Sequence, residues 1–266
     1  MDGHIGLVSR DNLTGRVYQE LRNALMEGRF WPGHRFKIRE LAALMNVSET
    51  PVREAVVQLV CEKGLDMQVA RSITVASLTL AQYLELRSIR LHLEGMAAER
   101  AAGKISDRVI RKLARYHEEL VEAEQSSRWT KAVTANWEFH HTLYKSAEMP
   151  ELLSMIENIW LRNGPLSNYM YPHAVPSYEN RHQHMNILDA LQNRDAAGVR
   201  QALQDDLVEG GRPLVRLLER MDLGEVSPEE LRRTRENSEG ALSDKSGASA
   251  RLPAITRRKS PSAASA

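Results

Sequence analysis

The chain has 266 residues, 42% of them hydrophobic, which is enough apolar material for a core and a second folded unit. Its 36 basic and 35 acidic residues give a formal charge of +1, which excludes a global positive field, so any DNA contact requires a local basic cluster. The single cysteine, Cys61, excludes an internal disulfide and a four-cysteine zinc ribbon.

The N-terminal part of the chain has the apolar spacing of three helices. The first begins at Leu13 and ends in the turn-forming stretch EGRFWPGHRF. The second begins near Ile38 and stops at Asn46, and the third begins two or three residues later and carries Leu59 on its apolar face. Two helices joined by a short turn predict a helix-turn-helix motif.

A β-hairpin is predicted directly after the third helix. Leu65 and Met67 alternate with polar residues, as do Ile73 and Val75, and the tripeptide ARS separates the two runs. Three helices followed by a hairpin predict a winged helix-turn-helix domain, which we place at residues 10–76.

The stretch SETPVREAV has the features of a DNA-reading helix. Ser48 or Thr50 can cap the helix, and Pro51 suits its first turn. Thr50 and Arg53, three residues apart, share the outward face. Because the first turn of a recognition helix meets base edges, Arg53 can contact a guanine or a phosphate. The alternative is a solvated arginine that pairs only with Glu49.

The stretch LRNALMEGRFWPGHRFKIRELAALMNVSETPVREAVVQL resembles the N-terminal domain of the GntR family of bacterial transcription regulators. The shared pattern includes PG, ELA, VS and TPVREA. The resemblance implies a winged-helix repressor or activator that binds a pseudo-palindromic operator in double-stranded DNA as a homodimer. It also implies that the wing, residues 70–72, approaches the minor groove.

Arg39, Ser48, Thr50 and Arg53 fall on DNA-contacting positions of the family. Two residues depart from its pattern, since Glu49 stands where Arg or a neutral residue is common and Lys63 stands where glycine is usual. A carboxylate can accept a hydrogen bond from the cytosine amino group, so we expect Glu49 to shift operator preference. The predicted DNA-reading surface consists of Arg35, Arg39, Ser48, Glu49, Thr50, Arg53 and Arg71.

Residues 79–222 have a helical apolar period throughout and predict a separate all-α domain of six to seven helices, so the whole chain is mainly α. In four of these helices a polar side chain falls on the apolar stripe, whereas His182 falls off its stripe. The inward polar residues are Arg90, Asn136, His140, His184 and Asp206.

Inward polar side chains require partners. Two imidazoles, one carboxylate and one amide oxygen can bind a divalent metal ion, and a nearby arginine can bind a carboxylate through two hydrogen bonds. Two alternatives stay open, namely a structural pair of Asp206 and His184 in a metal-free pocket and an open metal centre in an enzyme. A single inward histidine, such as His117, is usually a hydrogen-bonded core residue.

The segments RLHLEGMAA, NWEFHHTLY and H-x-x-I-L-D-A-L resemble the FCD ligand-binding domain of the FadR-like branch of GntR regulators. That resemblance implies bound zinc, nickel or manganese and a small organic acid that completes the coordination. Asn136, His140 and His184 fall on metal-ligand positions of the family. Asp206 stands where histidine is usual, and Arg90 falls on the arginine that meets the effector carboxylate.

We therefore predict a DNA-binding transcription regulator whose operator binding is modulated by a small carboxylate bound beside a divalent metal. An enzyme is not expected, because the sequence has no nucleophile elbow, phosphate loop or dinucleotide fingerprint.

Two expectations concern the rest of the chain. Residues 223–266 are rich in Ser, Ala, Glu and Arg with no aromatic residue beyond Gly224, which predicts a disordered tail. The absence of a signal pattern and of an 18-residue apolar run predicts a soluble, cytoplasmic protein without a membrane partner.

Overall fold

The computed structural model describes residues 13–67 and 72–248. Its N-terminal part, hereafter the winged domain, contains three helices and three short strands. These are α1 (Leu13–Met26), β1 (Arg35–Phe36), α2 (Ile38–Met45), α3 (Glu49–Cys61), β2 (Leu65–Met67) and β3 (Ile73–Val75). The predicted winged helix-turn-helix is therefore confirmed.

The turn between α2 and α3 is set by two residues. Asn46 adopts the left-handed conformation, with φ 54° and ψ 48°, and so ends α2. Ser48 is extended and lies at the N-cap of α3, although its hydroxyl makes no capping hydrogen bond. The apolar face of α3, which includes Val52 and Leu59, is fully buried, so its opposite face lies at the surface.

The three strands form an antiparallel sheet with the order β1, β3, β2. Leu65 pairs with Val75, as expected for the predicted hairpin. The sequence did not predict β1, because a two-residue strand shows no alternating period. The wing tip at residues 68–71, which includes the predicted DNA contact Arg71, lies outside the described residues.

The helical domain, residues 79–222, is described without a gap. It contains seven helices of ten residues or more, as predicted, and the four-residue α8. They are α4 (Leu80–Ala102), α5 (Asp107–Gln125), α6 (Trp129–Lys145), α7 (Pro150–Asn163), α8 (Ser167–Met170), α9 (Gln183–Gln192), α10 (Ala196–Asp205) and α11 (Arg212–Asp222). A 3-10 turn (Gly164–Leu166) precedes α8, and a π-helical turn (Asp206–Gly210) joins α10 to α11.

The winged domain packs on the segment that joins α7 to α8. Gly164 lies so close to the end of α1 that a Cβ there would overlap the carbonyl oxygens of Leu25 and Met26. Asn168 Nδ2 donates to the carbonyl oxygens of Gly28 and Phe30 at 2.8 and 3.0 Å. The two domains are therefore joined by direct backbone contacts as well as by the chain between them.

The tail that was expected to be disordered contains α12 (Pro228–Ala248). Leu231 is buried in the apolar cluster that also contains Leu217. The guanidinium of Arg235, only 4% exposed, donates to Asn168 Oδ1 at 3.0 Å and to Thr130 Oγ1 at 3.0 Å. Trp129 Nε1 also donates to Ser238 Oγ at 3.0 Å. These few contacts dock the helix, a pattern too sparse for composition to reveal.

None of the helices in the described part of the chain combines the length and apolarity needed to cross a bilayer.

Candidate functional site

The predicted DNA-reading residues within the described ranges lie at the surface of the winged domain. Arg35 is on β1, Arg39 is on α2, and Ser48, Glu49, Thr50 and Arg53 begin α3. All six are exposed. Their exposure leaves these side chains accessible to a DNA groove.

Glu49 and Arg53 form an ion pair on this surface. Arg53 Nη2 lies 3.5 Å from Glu49 Oε2, and both side chains are about half exposed. An exposed pair with four-residue helical spacing is weak, worth about 0.3–0.5 kcal/mol. The pair therefore does not prevent Arg53 from turning to another acceptor.

Three of the four predicted metal ligands converge inside the helical domain. His140 is on α6, His184 is on α9, and Asp206 begins the π-helical turn. His140 Nε2 lies 3.2 Å from His184 Nε2 and 3.3 Å from Asp206 Oδ2. We call these three residues, with Asn136, the buried centre. Asn136 is half-buried and lines the cavity beside them.

The π-helical turn places Asp206 in the buried centre. A π-turn inserts a wider loop into the helical ladder and is found mostly at functional positions. Tyr178 Oη donates to Asp206 Oδ1 at 2.8 Å, while Oδ2 faces His140. The hydroxyl of Tyr178 also lies where a side chain at Gly210 would be, so the turn and Tyr178 fit against each other.

Arg90, predicted to meet the effector, is held by a residue that the sequence interpretation missed. Its Nε donates to Glu94 Oε1 at 2.7 Å, and Glu94 is completely buried. Trp160 Nε1 donates to the same Glu94 oxygen at 3.0 Å, and the Arg90 guanidinium lies 4.8 Å from the Trp160 ring centre. Arg90 Nη1 has no hydrogen-bond partner among the described residues and is the donor left for a ligand.

Glu94 also fixes the protonation of the buried centre through Tyr144. Tyr144 Oη donates its one proton to Glu94 Oε2 at 2.5 Å, so its oxygen can only accept from His140 Nδ1, 3.1 Å away. His140 Nδ1 therefore carries a proton and donates it to Tyr144 Oη, and His140 Nε2 faces Asp206 and His184. A histidine ligand is normally oriented in this way through its other ring nitrogen.

The electrostatics keep His184 neutral and Asp206 ionised at neutral pH. Burial lowers the pKa of His184 well below its ordinary value of 6.5. Burial alone would raise the pKa of Asp206, but the hydrogen bond to His140 and the nearby histidine charges outweigh it and lower that pKa. Metal ions require neutral imidazole and ionised carboxylate, the forms favoured here.

The buried centre fits a divalent metal ion by distance. Two atoms bound to one tetrahedral ion at about 2.0–2.1 Å lie about 3.3–3.4 Å apart, close to the separations of the donor atoms around His140 Nε2. The donor set of two imidazoles and one carboxylate also suits such an ion.

A cavity of about 50 Å³ adjoins the buried centre. The residues that line it include Arg90, Asn136, Asn163, Ser167 and Tyr178. Since one water molecule occupies about 10–15 Å³ of such a volume, the cavity has room for about three or four water molecules. The cavity thus adjoins both the buried centre and the segment on which the winged domain packs.

Two further histidines lie near His184, with ring centres 4.3 Å away for His182 and 5.5 Å away for His117. His182 was expected to point away, but it is the N-cap of α9, where helical period does not apply, and it is half-buried. His117 is buried as predicted, but its Nδ1 has no hydrogen-bond partner among the described residues.

Both domains match known protein families. Residues 13–75 match the model of bacterial regulatory proteins of the gntR family, and residues 85–209 match the FCD domain. A winged helix-turn-helix joined to such a helical domain defines a DNA-binding transcription regulator.

Individual proteins and structures agree with these matches. The HTH-type transcriptional regulator McbR of Escherichia coli K12 is 31% identical over 202 residues, which cover 75% of this chain and 91% of McbR. The HTH-type transcriptional repressor RspR of the same strain is 28% identical, over 73% of this chain and 85% of RspR. The solved structure of E. coli McbR/YncC superimposes with a TM-score of 0.69 at 29% identity, covering 81% of this chain and 99% of that one. A GntR regulator structure from Rhodococcus sp. RHA1 shares the fold, with a TM-score of 0.61 at 22% identity, over 82% of this chain and 100% of its own.

The chain belongs to the GntR family of bacterial transcription regulators and carries an FCD domain. The enzyme alternative for the histidine and carboxylate set is not supported, because the relatives are named as transcriptional regulators.

Proposed function

We propose that the buried centre holds a divalent metal ion, with Asn136, His140, His184 and Asp206 as its protein ligands, and that a small carboxylate binds beside it. The carrying observation is that one ligand atom each of His140, His184 and Asp206, all three buried, lies within 4.8 Å of the other two. Zinc, nickel and manganese all accept imidazole and carboxylate ligands.

The charge around the cavity favours this version over a metal-free pocket. Arg90 is neutralised by Glu94, so the ionised Asp206 leaves one net negative charge. An anionic effector would be repelled by that charge, whereas a divalent ion makes the surroundings net positive. Arg90 Nη1 then offers a hydrogen bond to the carboxylate.

Binding of a ligand in the cavity can affect the DNA-binding surface through the segment that follows α7. Asn163 and Ser167 line the cavity, and the next residue, Asn168, holds the carbonyl oxygens of Gly28 and Phe30 in the winged domain. A shift of this segment would therefore move the winged domain. In a homodimer such a shift changes the spacing of the two recognition helices, so effector and operator affinities are coupled in both directions.

The DNA-binding part of the proposal rests on the exposed start of α3. Arg39, Thr50 and Arg53 meet a pseudo-palindromic operator in the major groove, and Arg35, Ser48 and Glu49 flank those contacts. Arg71 of the wing is proposed to contact the adjacent minor groove on sequence grounds alone.

The test combines metal content with DNA binding. Untagged protein purified without chelator is analysed for metals, and its operator is identified by selection from random DNA. Replacing His140 by Ala is expected to abolish metal binding. Operator binding should remain, but it should no longer change when carboxylates from acetate to citrate are added. His92→Ala is the matched control, because His92 is an exposed α4 residue that contacts only the Ser88 carbonyl. Unchanged metal content in His140→Ala contradicts the metal assignment, and a response to carboxylates without bound metal supports the metal-free version.

A further inference from the structure

His184 also belongs to a second cluster, which consists of His117, His182 and His184. His117 is on α5, His182 is the N-cap of α9, and His184 is the second residue of that helix. The ring centres are 4.9 Å apart for His117 and His182, 5.5 Å for His117 and His184, and 4.3 Å for His182 and His184. One ring nitrogen of each lies within 4.8 Å of the others.

The cluster contains buried nitrogens without partners. His117 Nδ1 and His184 Nδ1 are both inaccessible to solvent and make no hydrogen bond within the described part of the chain. Buried polar atoms of this kind are rare and call for a bound group, since each otherwise loses its hydration without compensation. His184 uses its Nε2 toward His140, so its Nδ1 is a separate, unused position.

We propose that His117, His182 and His184 form a second metal site, which takes nickel, copper or zinc. Three neutral imidazoles without a carboxylate suit these ions and suit manganese or magnesium poorly, because the latter prefer oxygen ligands. His182 is only half-buried and gives an ion a path from solvent. The proposal does not depend on occupancy of the buried centre.

His184 makes the two sites compete. A neutral imidazole has one lone pair, so a ring that binds one ion through Nδ1 carries its proton on Nε2 and cannot bind another there. The buried centre, with Asp206 and Asn136, suits harder ions, and the three-histidine site suits ions that prefer nitrogen. The identity of the available metal therefore decides which side of His184 is occupied.

Binding should also loosen the start of α9. His182 Nδ1 accepts the backbone N–H of His184 at 3.1 Å, so in this state its proton is on Nε2. Coordination through Nε2 moves that proton to Nδ1, which can then no longer accept the N–H. The amide of His184 is expected to exchange its hydrogen faster when nickel is bound.

The experiment uses the full chain, stripped of metal and titrated separately with Ni²⁺ and Mn²⁺. Asp206→Asn removes the carboxylate of the buried centre and is expected to weaken Mn²⁺ binding at least tenfold while retaining Ni²⁺ binding. In that background His117→Leu and His182→Asn are each expected to weaken Ni²⁺ binding at least tenfold. Asn is chosen at residue 182 because it preserves an N-cap. In the otherwise unchanged protein, both substitutions should leave Mn²⁺ affinity as it was.

His92→Ala, at an exposed histidine of α4, should change neither affinity. If His117→Leu unfolds the protein, the test of the site rests on His182→Asn, because residue 182 is only half-buried. The electron paramagnetic resonance spectrum of bound Cu²⁺ should show hyperfine coupling to three nitrogens. Loss of this coupling in His182→Asn supports the site. Unchanged Ni²⁺ affinity in both histidine variants overturns it, and this result leaves the buried centre untouched, since that centre is tested by Mn²⁺ and Asp206→Asn.

Discussion

On α4, Arg90 Nε donates to Glu94 Oε1 at 2.7 Å, and the two side chains are 6% and 0% exposed. Burial alone would lower the pKa of Arg90, but the Glu94 charge and hydrogen bond outweigh burial and raise it. Arg90 is therefore charged, and its partner Glu94 also accepts from Tyr144 Oη, whose oxygen lies 3.1 Å from His140 Nδ1. Arg90 supports the buried centre as well as facing the cavity.

Replacing Glu94 by Gln should therefore be costly. The substitution leaves the Arg90 charge buried without compensation, and we expect a loss of about 3–5 kcal/mol in the free energy of unfolding, measured by urea denaturation. Glu99→Gln is the control on the same helix, because the Glu99 to Arg200 pair is about 40% exposed on both sides and should lose under about 1 kcal/mol. Equal losses in the two variants would contradict the assigned role of Glu94.

The contact of the winged domain with Gly164 can be tested by adding a single methyl group. Gly164→Ala places a Cβ against the carbonyl oxygens of Leu25 and Met26, so we expect a loss of about 1–3 kcal/mol and faster proteolysis between the domains. Gly103→Ala should be neutral or stabilising by up to about 1 kcal/mol, since it has φ −81° and open space around it. A variant at Gly164 that is as stable as the wild type would show that the domains do not pack as described.

The same interface should lose stability in acid. Glu157 accepts hydrogen bonds from His141 at 2.9 Å and from Arg22 of the winged domain at 2.8 Å. The His141 hydrogen bond, helped by Arg22 and opposed by burial, lowers the pKa of Glu157 below its ordinary 4.5. A carboxyl with a lowered pKa stabilises the fold above about pH 4.5, and this contribution is lost as the pH falls through the folded-state value.

The free energy of unfolding should therefore fall less steeply between about pH 5 and pH 3 in Glu157→Gln than in the wild type. Parallel pH profiles would mean that Glu157 titrates alike in the folded and unfolded chain.

The fold and most of the buried centre could be predicted from the sequence, because on a regular helix the spacing of apolar residues indicates which side chains are buried. It missed Glu94 because the apolar stripe of α4 was followed through Leu93, which is only partly buried, instead of through the charged residue beside it. The signal available in the sequence was that Glu94 follows Arg90 by four residues, which is the spacing of an ion pair on a helix. His182 was misjudged because it lies just outside α9, and α12 was missed because its docking depends on few residues.

The docking of α12 can be tested with two arginines of that helix. Arg235→Ala removes hydrogen bonds to Asn168 and Thr130 and the contact with the Trp31 ring, so we expect a loss of about 1.5–3 kcal/mol. Arg233→Ala, at an exposed position, should change the free energy of unfolding by no more than about 0.5 kcal/mol. Indistinguishable variants would show that α12 is not held at Arg235.

DNA specificity provides the remaining prediction. Arg53→Ala should weaken operator binding by about 1–3 kcal/mol relative to random DNA, as measured by titration at fixed salt. Glu49→Arg should change the motif selected from a random pool while keeping tight binding. Selection of an identical motif would show that Glu49 does not face a base.

The π-helical turn that begins at Asp206 separates α10 from α11 and changes the direction in which their side chains point. Val199 and Leu203 of α10 belong to the large apolar cluster that reaches into the winged domain, whereas Leu214 and Leu218 of α11 belong to a separate one with Leu231 of α12. In an uninterrupted α-helix these four residues would lie within about 100° of one another and share one face, so the π-helical turn is what lets α10 and α11 contribute to two different clusters. Asp206 is the first residue of that turn, so a group bound at its carboxylate contacts the junction between the two clusters.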